Sequence, residues 1–414
     1  MRRASGVACT ALTLFFCAHI VVQANEVRAG VAREMLVLPR HVPLAGYSRR
    51  KGKPSSGVHD PVGVRALVVS DGATTAALVS SDLLIVDERL FEAVRSRLMA
   101  QGLPQNTVLI LAATHTHSGP GAFGTKFLEK ISMGHFDPRV FEAIVNATTQ
   151  AVLHAQATQR PTRVVYQRTM TEGLVVNRMD RTGFADAELI TSAFYPEQSN
   201  VPFAIVVNFS AHPTSLGSWN TELSADYPGV VMKEVERLVP GSLCFFFAGS
   251  VGDQAPVKSG TGFEQAEHLG VPLAQHVAAM LQDAAPKRPE GLRAHQAFLR
   301  LPSATVRLGS RLTLPRWMGT RLVDDDATLS TVAIGTTVFI GVPCDLSASL
   351  GAQLKEASRA RGLNPVIVGF ASDYIGYCMP EAVYRTQQYE SLMAFNGPKT
   401  GELIVERLIQ MIHD

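Results

Sequence analysis

Short, uninterrupted apolar runs that end in polar residues recur along the chain. Five of them are rich in β-branched and aromatic side chains and cover residues 108–113, 203–209, 243–247, 338–342 and 366–370. Apolar runs of this length, without alternation, are typical of strands that are buried on both faces. The pattern therefore predicts a sheet whose two faces are both covered.

Apolar residues at helical spacing occupy several of the stretches between these runs. This spacing predicts helices over residues 87–100, 227–239, 262–283, 347–361 and 401–413. Two β-rich runs, 64–69 and 76–80, are separated by Asp71-Gly72, which predicts a hairpin. Strands that alternate with helices indicate an α/β fold, with a buried mixed or parallel sheet flanked by helices. Residues 49–58, rich in Lys, Ser, Pro and Gly, are expected to form an exposed loop.

Polar residues follow the apolar runs closely. His115, His212, Asp253, Asp345 and Tyr374 each come shortly after one of them. In α/β sheets, ligands bind at the carboxyl ends of the strands. We therefore expect the ligand-binding site, including a metal site, to lie at the strand C-terminal ends.

Composition and charge narrow the class of protein. Of the 414 residues, 46% are hydrophobic and 18% are charged, and the formal net charge is +2. This balance is typical of a globular chain, and the absence of a basic stripe in the sequence argues against a nucleic-acid partner. Arg2 and Arg3, an apolar stretch over residues 6–22 and Ala24 are typical of a signal peptide over residues 1–24. We expect a secreted or periplasmic protein in which residues 25–414 form a single domain.

His115 and His117 flank one residue at the end of the first apolar run. In extended chain, residues two apart point to the same side, so both imidazoles can face one pocket. The following Ser-Gly-Pro-Gly lets the backbone turn away sharply. Together with His212 and a carboxylate, neutral imidazoles of this kind favour a zinc site with an open position for water or substrate.

The segment Thr114-His115-Thr116-His117-Ser118-Gly119-Pro120 resembles the zinc motif of the neutral, non-lysosomal ceramidases, which hydrolyse the amide bond of ceramide. The resemblance covers almost the whole chain after the leader. Its other parts are Ser81-Asp82, Asn177-Arg178, Ala211-His212-Pro213, Gly252-Asp253-x-Ala255-Pro256, Asp373-Tyr374-x-x-Tyr377 and Tyr389-Glu390.

The resemblance implies Zn²⁺ as cofactor and a set of four protein ligands. These are His115, His212, Asp345 and Tyr377, of which Asp345 stands where the family has a glutamate. The alternative interpretation of Asp345 is a helix cap, and that of Tyr377 is a buried aromatic with a satisfied hydroxyl. A second departure is Ala255, which occupies the position of the family's catalytic serine.

Without that serine, the resemblance implies hydrolysis of an amide or related bond by water that the metal activates. We expect His117, Asp253, Arg178 and Asp82 to act in catalysis, as general acids or bases or by binding a developing negative charge. Each of the two aspartates and Arg178 also has a structural alternative, as a turn cap or an ion pair.

Substrate and partners follow from the same resemblance. Asn177, Arg178 and Tyr374 are expected to contact the substrate, a small or lipid-like molecule. A transient contact with a membrane surface is part of this expectation, and the sequence does not specify an oligomeric state.

Three alternatives remain open at this stage. The chain is also compatible with a non-catalytic, zinc-stabilised binding protein of the same fold, in which Ala255 marks lost activity. A barrel-type metal-dependent amidohydrolase also begins its metal site with His-x-His at a strand end. Finally, Cys344 and Cys378 flank two of the implied ligands, so they either form a disulfide or remain two separate thiols.

Overall fold

The computed structural model describes residues 26–308, 312–315, 319, 322–386 and 388–413. The signal peptide predicted over residues 1–24 lies outside the described residues. The strands are β1 (Arg28–Met35), β2 (Gly57–Val58), β3 (Gly63–Ser70), β4 (Thr75–Ser81), β5 (Val108–Ala113), β6 (Arg160–Met170), β7 (Val175–Asn177), β8 (Glu188–Pro196), β9 (Ala204–Phe209), β10 (Glu222–Leu223), β11 (Leu243–Ala248), β12 (Gln254–Pro256), β13 (Leu292–Arg300), β14 (Arg307–Leu308), β15 (Leu312–Thr313), β16 (Asp326–Ile334), β17 (Thr337–Gly341), β18 (Asp345–Leu346), β19 (Asn364–Val368) and β20 (Tyr377–Cys378).

The helices of the described residues alternate with these strands. They are α1 (Glu88–Ala100), α2 (Phe127–Met133), α3 (Pro138–Ala157), α4 (Asp226–Leu238), α5 (Glu264–Gln282), α6 (Ala348–Arg359), α7 (Glu381–Tyr384), α8 (Tyr389–Leu392) and α9 (Thr400–His413), and a short 3-10 helix covers Ser48–Arg50. The five predicted helices are confirmed to within a few residues. In the described part of the chain, no helix is both long enough and apolar enough to span a bilayer.

Two mixed sheets form the centre of the molecule. The larger sheet has the strand order β11-β9-β8-β6-β1-β3-β4-β5 within the described residues. Its outer pairs, β11 with β9 and β4 with β5, are parallel, and the other pairs are antiparallel. The smaller sheet has the order β13-β16-β17-β19, in which only β17 and β19 are parallel. The α/β prediction is confirmed, and the barrel alternative is wrong because the larger sheet is mixed rather than a ring of parallel βα units.

The two sheets pack face to face, with helices on the outer face of each. In β5, Leu109 and Leu111 pack with apolar residues of α1, α3 and α4, while Val108 and Ile110 pack with residues of the smaller sheet. Helices α6 and α9 cover the other face of the smaller sheet. Because successive strand residues point to opposite faces, β5 needs apolar side chains at every position. This arrangement explains the uninterrupted apolar run and confirms that both faces are buried.

The carboxyl ends of β5 and β11 meet, although these strands lie at opposite edges of the larger sheet. Across the gap, the Ser80 hydroxyl in β4 donates a hydrogen bond to the Phe246 carbonyl in β11 (2.7 Å). The segment after β19 bonds to both edges: Ala113 N donates to Phe370 O (3.2 Å), and Gly369 N donates to Ala248 O (2.8 Å). The residues that follow β5, β11 and β19 are thereby brought to one place.

The prediction of an exposed loop over residues 49–58 is wrong for Arg50. This side chain is only 6% exposed and belongs to the 3-10 helix that precedes the rest of the segment. Its guanidinium donates to three backbone carbonyls, those of Ala45 (2.9 Å), His117 (2.5 Å) and Gly217 (3.2 Å). These bonds satisfy the two terminal nitrogens of the buried guanidinium, while Nε has no partner among the described residues.

Candidate functional site

Three imidazole side chains converge beyond the ends of β5 and β9. Nε2 of His115 lies 2.9 Å from Nε2 of His212, and Nε2 of His117 lies 3.2 Å and 3.1 Å from these two atoms. His115 and His212 are buried, and His117 is half-buried. These three ring nitrogens are close enough to bind one metal ion.

His115 is held by its backbone and by two neighbours. Its φ of 63° lies in the left-handed region, which turns the chain sharply at the end of β5. Nδ1 lies 2.6 Å from the carbonyl oxygen of Leu84, and the ring stacks on Phe370 at a centroid distance of 3.7 Å. Phe370 also has a positive φ, of 55°. Two such unfavourable conformations in contact are typical of functional sites, where the surrounding structure holds them.

His117 lies in a pocket formed by the segment before the 3-10 helix. Arg50 bonds to its carbonyl oxygen, and the ring centroids of Tyr47 and His117 are 4.9 Å apart. A Cβ on Gly46 would lie 2.6 Å from Nδ1 of His117, so this position has room only for glycine. Gly46 also has a φ of 103°, which favours glycine. The ring of His117 is therefore confined on the side away from the other two histidines.

Burial keeps the three histidines neutral. It lowers the pKa of His115 to about 3 and the pKa values of His117 and His212 well below the ordinary value. A neutral imidazole has a free lone pair, which is the form that binds a metal. The cluster is thus in its metal-binding form across the neutral pH range.

Asp345 lies beside this cluster and is completely buried. Its Oδ2 accepts a hydrogen bond from the Tyr374 hydroxyl (2.8 Å). Its Oδ1 has no hydrogen-bond partner among the described residues and lies 3.6 Å from Nε2 of His115. Burial raises the pKa of Asp345 to about 7, against the opposing effects of the Tyr374 hydroxyl and of Arg178. A buried, unpartnered carboxylate oxygen next to three imidazoles fits a site that holds a cation.

Tyr377 and Arg178 form a second layer behind Asp345. Nη2 of Arg178 donates to the Tyr377 hydroxyl (2.9 Å) and to the Gly252 carbonyl (2.7 Å), and Nε lies 2.8 Å from Glu390. Nη1 of Arg178 makes no hydrogen bond within the described residues. The structure therefore places Arg178 by the site, with one terminal nitrogen free.

Asp253, Asn177 and Asp82, three other predicted site residues, bond to neighbouring backbone and side chains rather than to the histidine cluster. Oδ1 of Asp253 accepts from Ala348 N (2.8 Å) at the start of α6, and its Oδ2 accepts from Asn177 Nδ2 (3.3 Å). Asn177 also accepts from two backbone amides, which fixes its own turn. Oδ2 of Asp82 accepts from Gly63 N (2.9 Å) and lies 3.7 Å from Arg65. Among the described contacts, none of these three side chains bonds to a histidine of the cluster.

A cavity of about 300 Å³ opens next to the histidines. Its walls include the two histidines of the His-Thr-His segment, Tyr374 and Tyr377, and mostly apolar side chains otherwise. The apolar and aromatic lining comprises Leu84, Ile85, Leu128, Ile131, Leu322, Val323, Ile375, Tyr389, Met393 and Phe395. Such a lining, with a few polar groups at the reactive atoms, is typical of a binding site for a mainly apolar ligand.

Sequence reasoning missed several residues that shape the site. Arg50 lies in a segment whose composition is that of an exposed loop, so no signal pointed to its buried role. Phe370 ends an apolar run and looked like an ordinary core residue. Tyr389 could have been found, because Tyr389-Glu390 is one of the pairs on which the resemblance rests.

The cysteines near the site are free thiols. Cys344 and Cys378 are both completely buried, and the structure contains no bond between their sulfurs. The two thiols are nevertheless neighbours, and burial raises the pKa of Cys344 well above its ordinary value. Of the two alternatives left by the sequence, the structure therefore shows unpaired thiols, which are adjacent rather than separate.

Comparison with known sequences identifies a protein family and related proteins. Residues 38–261 match the family described as neutral/alkaline non-lysosomal ceramidase, N-terminal. The neutral ceramidase of Pseudomonas aeruginosa is 26% identical over 387 residues, which is 86% of this chain and 54% of that protein. The neutral ceramidase of Mycobacterium tuberculosis is 27% identical over 218 residues, which is 48% of this chain and 34% of that protein.

Solved structures show the same fold. The crystal structure of the Pseudomonas aeruginosa neutral ceramidase superposes with a TM-score of 0.83 at 22% identity, over 94% of this chain and 74% of that one. A ceramidase complexed with C2 has the same TM-score at 20% identity, over 94% of this chain and 75% of that one.

The chain spans about half the length, or less, of the curated relatives it matches. The family match nevertheless covers more than half of its residues and includes His115, His117 and His212. The chain therefore belongs to the neutral/alkaline non-lysosomal ceramidase family.

Proposed function

We propose that the chain is a zinc-dependent hydrolase that cleaves the amide bond of an N-acylated, ceramide-like lipid. The observation that carries this proposal is the cluster of three neutral imidazoles, two of which, His115 and His117, line a mainly apolar cavity. Relatives that bear the name neutral ceramidase support the substrate class. The ceramidase complexed with C2, which has the same fold, supports it as well.

The donor set suits zinc. Imidazole nitrogens are ligands that zinc favours, and His115 and His212 would hold the ion. When bound, zinc polarises a carbonyl group and makes water acidic enough to attack it at neutral pH. Asp345 contributes a carboxylate oxygen that is free of protein hydrogen bonds on the side of His115.

The other polar residues orient the substrate and the site. We propose that Arg178 donates to an oxygen of the substrate through Nη1, which bonds to no described residue, while Tyr377 and Glu390 hold the rest of the guanidinium. The ring of Tyr374 lines the cavity, and its hydroxyl orients Asp345. The apolar walls accommodate the acyl chain and exclude water from it.

Ala255 excludes a mechanism in which a side-chain nucleophile at this position attacks the amide. It lies in β12, immediately after Gln254, whose carbonyl oxygen accepts from His212 N (3.3 Å). An alanine methyl group cannot attack, donate or accept a proton. We therefore propose that water is the nucleophile.

Substrate turnover is the direct test. The full chain with one equivalent of zinc is incubated with N-acyl sphingosines of short and long acyl chain and with matched O-acyl esters. We expect amine release from an N-acyl substrate, its loss on chelation and its return with added zinc. His212→Ala should abolish turnover, whereas His154→Ala, which changes an exposed histidine of α3, should leave it unchanged.

Ala255 also supports a second candidate, a zinc-stabilised binding protein of the same fold. The same experiment separates the two. If the zinc-loaded chain releases no product from any N-acyl or ester substrate, yet binds a short-chain ceramide in a manner that requires zinc, the binding protein is the better account.

Export is proposed on the sequence alone. The basic start, the apolar stretch and the small residues before position 25 support a cleaved signal peptide and a secreted or periplasmic protein. N-terminal sequencing of the protein recovered outside the cytoplasm should begin at Asn25, and recovery of the intact N-terminus in the cytoplasm would contradict export.

A transient contact with a lipid surface would deliver such a substrate. On α2, beside the cavity, Phe127 is 62% exposed and Ile131 is 45% exposed. The same helix carries the exposed cation Lys130, and the neighbouring segment carries Arg49, Lys51 and Lys53. The two are joined by a hydrogen bond from Gly46 N to Ser132 O (3.0 Å). Apolar side chains flanked by cations favour an anionic membrane surface.

A further inference from the structure

We infer that a second cavity, separate from the one beside the histidines, binds a long-chain fatty acid in its carboxylate form. This cavity has a volume of about 540 Å³, within the range of about 300–1,000 Å³ that is usual for ligand sites. Cleavage of an N-acyl bond by water gives an amine and an acid of this class. That the bound acid is a product of this chain's own reaction therefore rests on the proposed function.

Most residues that line the second cavity are apolar. They lie at the end of β1, in the chain between β1 and β3, in β2 and in β10, and include Met35, Leu36, Leu38, Val58, Val62 and Leu223. Met35 is 42% exposed and Val58 is 59% exposed, so apolar side chains reach the protein surface here. Such walls favour an alkyl chain, because binding removes it from water.

Arg40 gives the second cavity a positive charge. It is the only Lys, Arg, Asp or Glu residue in the lining, and it has no hydrogen bond or ion pair among the described contacts. A carboxylate fits a guanidinium by two parallel, charge-assisted hydrogen bonds. An apolar cavity with one unpaired guanidinium therefore fits an amphiphile whose polar end is a carboxylate.

Acidic residues that neighbour the lining in sequence do not neutralise this charge. Glu34 faces His154 (2.8 Å), and Asp60 faces His59 (2.9 Å). Glu222 precedes the lining residue Leu223 in β10. Because successive strand residues point to opposite faces, its carboxylate lies on the other side of the strand from Leu223.

The backbone beside Arg40 is held in an unfavourable conformation. His41, which also lines the second cavity, has a φ of 63°, in the left-handed region. Its Nδ1 lies 3.3 Å from the carbonyl oxygen of Ser55, so the ring is tied to another part of the lining. Strain that the surrounding structure maintains is typical of ligand sites.

The two cavities share a chain segment but no lining residue. His41 and Ser55, at the ends of the segment 41–55, line the second cavity, whereas Gly46 and Ser48, in its middle, line the cavity beside the histidines. An acid bound at Arg40 would thus leave the cavity beside the histidines free for the next substrate.

Binding of dodecanoate, isotope-labelled at its carboxyl carbon and followed by NMR, tests the inference with the zinc-loaded full chain below the critical micelle concentration. We expect a resonance of bound carboxylate that survives removal of zinc by a chelator. Dodecyltrimethylammonium, which has the same chain and the opposite charge, should displace the acid only at ~10-fold or higher concentration.

Two variants with matched controls locate the site. Arg40→Gln should weaken dodecanoate binding by at least ~10-fold, whereas Arg49→Gln, the same charge change on an exposed residue outside the lining, should not. Val58→Asp should weaken binding as well, because it adds negative charge to an apolar wall. Val37→Asp is its control, since Val37 is 85% exposed and does not line the cavity.

Unchanged dodecanoate binding in Arg40→Gln and Val58→Asp would overturn the second site. A bound resonance that disappears with zinc would also overturn it, because the acid would then lie beside the histidines. Variants that weaken binding to vesicles containing phosphatidylserine but not to dodecanoate would replace it by a membrane contact. A chain that binds dodecanoate at Arg40 but cleaves no N-acyl substrate would overturn the proposed function and leave this site standing.

Discussion

At the scale of single residues, the site depends on side chains whose neighbours decide their chemistry. His115 and His212 stay neutral because they are buried, and their Nδ1 atoms are fixed by carbonyl oxygens. Ala255 and Asp345 are the two positions at which the sequence resemblance implies a departure from the family pattern. By that resemblance, the first lacks a nucleophilic hydroxyl and the second is a shorter carboxylate beside the histidines.

Restoring a hydroxyl at position 255 tests the role of water. If water is the nucleophile, Ala255→Ser should leave zinc affinity unchanged and change kcat/KM for an N-acyl substrate by less than about tenfold, or about 1.4 kcal/mol in the barrier. Steady-state kinetics with the zinc-loaded protein provide the measurement. A rise of several orders of magnitude would mean that the site still requires a serine.

Asp226 gives a prediction for the pH dependence of stability. This buried aspartate has a φ of 56° and accepts from the backbone amides of Leu216 and Tyr227, near the loop that carries His212. Burial raises its pKa from 3.8 to about 6. Between pH 3.8 and about pH 6, the Asp226 carboxyl is deprotonated in the unfolded chain but still protonated in the folded chain. The free energy of unfolding therefore falls as pH rises through this range.

Asp226→Asn removes this titration. Compared with the variant, the unmodified chain should lose up to about 3 kcal/mol of unfolding free energy as pH rises from 4 to above 6. Urea unfolding of both proteins at several pH values measures the difference. Parallel pH profiles would show that Asp226 does not titrate in this range.

At the scale of elements, the 3-10 helix and its flanking residues hold the His117 segment in place. Arg50 bonds to the carbonyl oxygens of Ala45, His117 and Gly217, and thus joins three separate loops. The fork geometry of a guanidinium is needed for this, since the point charge of a lysine has neither its shape nor its reach.

Arg50→Lys should therefore destabilise the protein by about 3 kcal/mol, because buried carbonyl oxygens lose charged donors. Zinc affinity should fall too, as the His117 loop is released. Arg49→Lys is the control, because Arg49 is the exposed neighbour in the same helix. Denaturant titration and chelator competition measure both effects, and equal behaviour of the two variants would contradict the role of Arg50.

Some of the strands and helices could be predicted from the sequence, and others could not. Runs buried on both faces, such as β5, and amphipathic helices such as α4 follow from local pattern alone. Strands β6 and β13 are mostly half-buried or exposed and carry many long polar side chains, so their apolar signal is weak. Their antiparallel pairing is a tertiary property that no local pattern specifies.

The candidate site, too, could be predicted from the sequence only in part. That strand-end residues would meet could be predicted, because the carboxyl ends of α/β strands share one edge. The residues that orient them could not: Phe370 stacks on His115 from a different sheet, and Arg50 reaches His117 from a loop of exposed composition. Asp253 and Asn177 show the converse, since a polar residue at a strand end can also serve only to fix a turn.

At the scale of the whole molecule, the larger sheet brings its two edges together and the segment after β19 bonds to both. The histidine cluster forms at this junction, and the apolar cavity lies next to it. Helix α2 borders the cavity and exposes Phe127 and Ile131 beside several cations. This arrangement suits a substrate that is drawn from a lipid surface.

Replacing both apolar side chains of α2 by aspartate tests that contact. Phe127→Asp/Ile131→Asp should weaken binding to vesicles containing phosphatidylserine by at least tenfold, without changing zinc affinity, because it removes apolar contacts and adds negative charge. Phe298→Asp is the control, since Phe298 is 72% exposed but lies on β13 in the smaller sheet. Vesicle sedimentation that does not distinguish the variants would contradict docking through α2.

The central claim is that a zinc ion binds at the histidine cluster beside the apolar cavity. An anomalous-difference map recorded at the zinc edge, on crystals of the zinc-loaded full chain, tests it most directly. The account predicts one peak within about 2.0–2.1 Å of Nε2 of His115 and His212. A map with no peak at the cluster would contradict it.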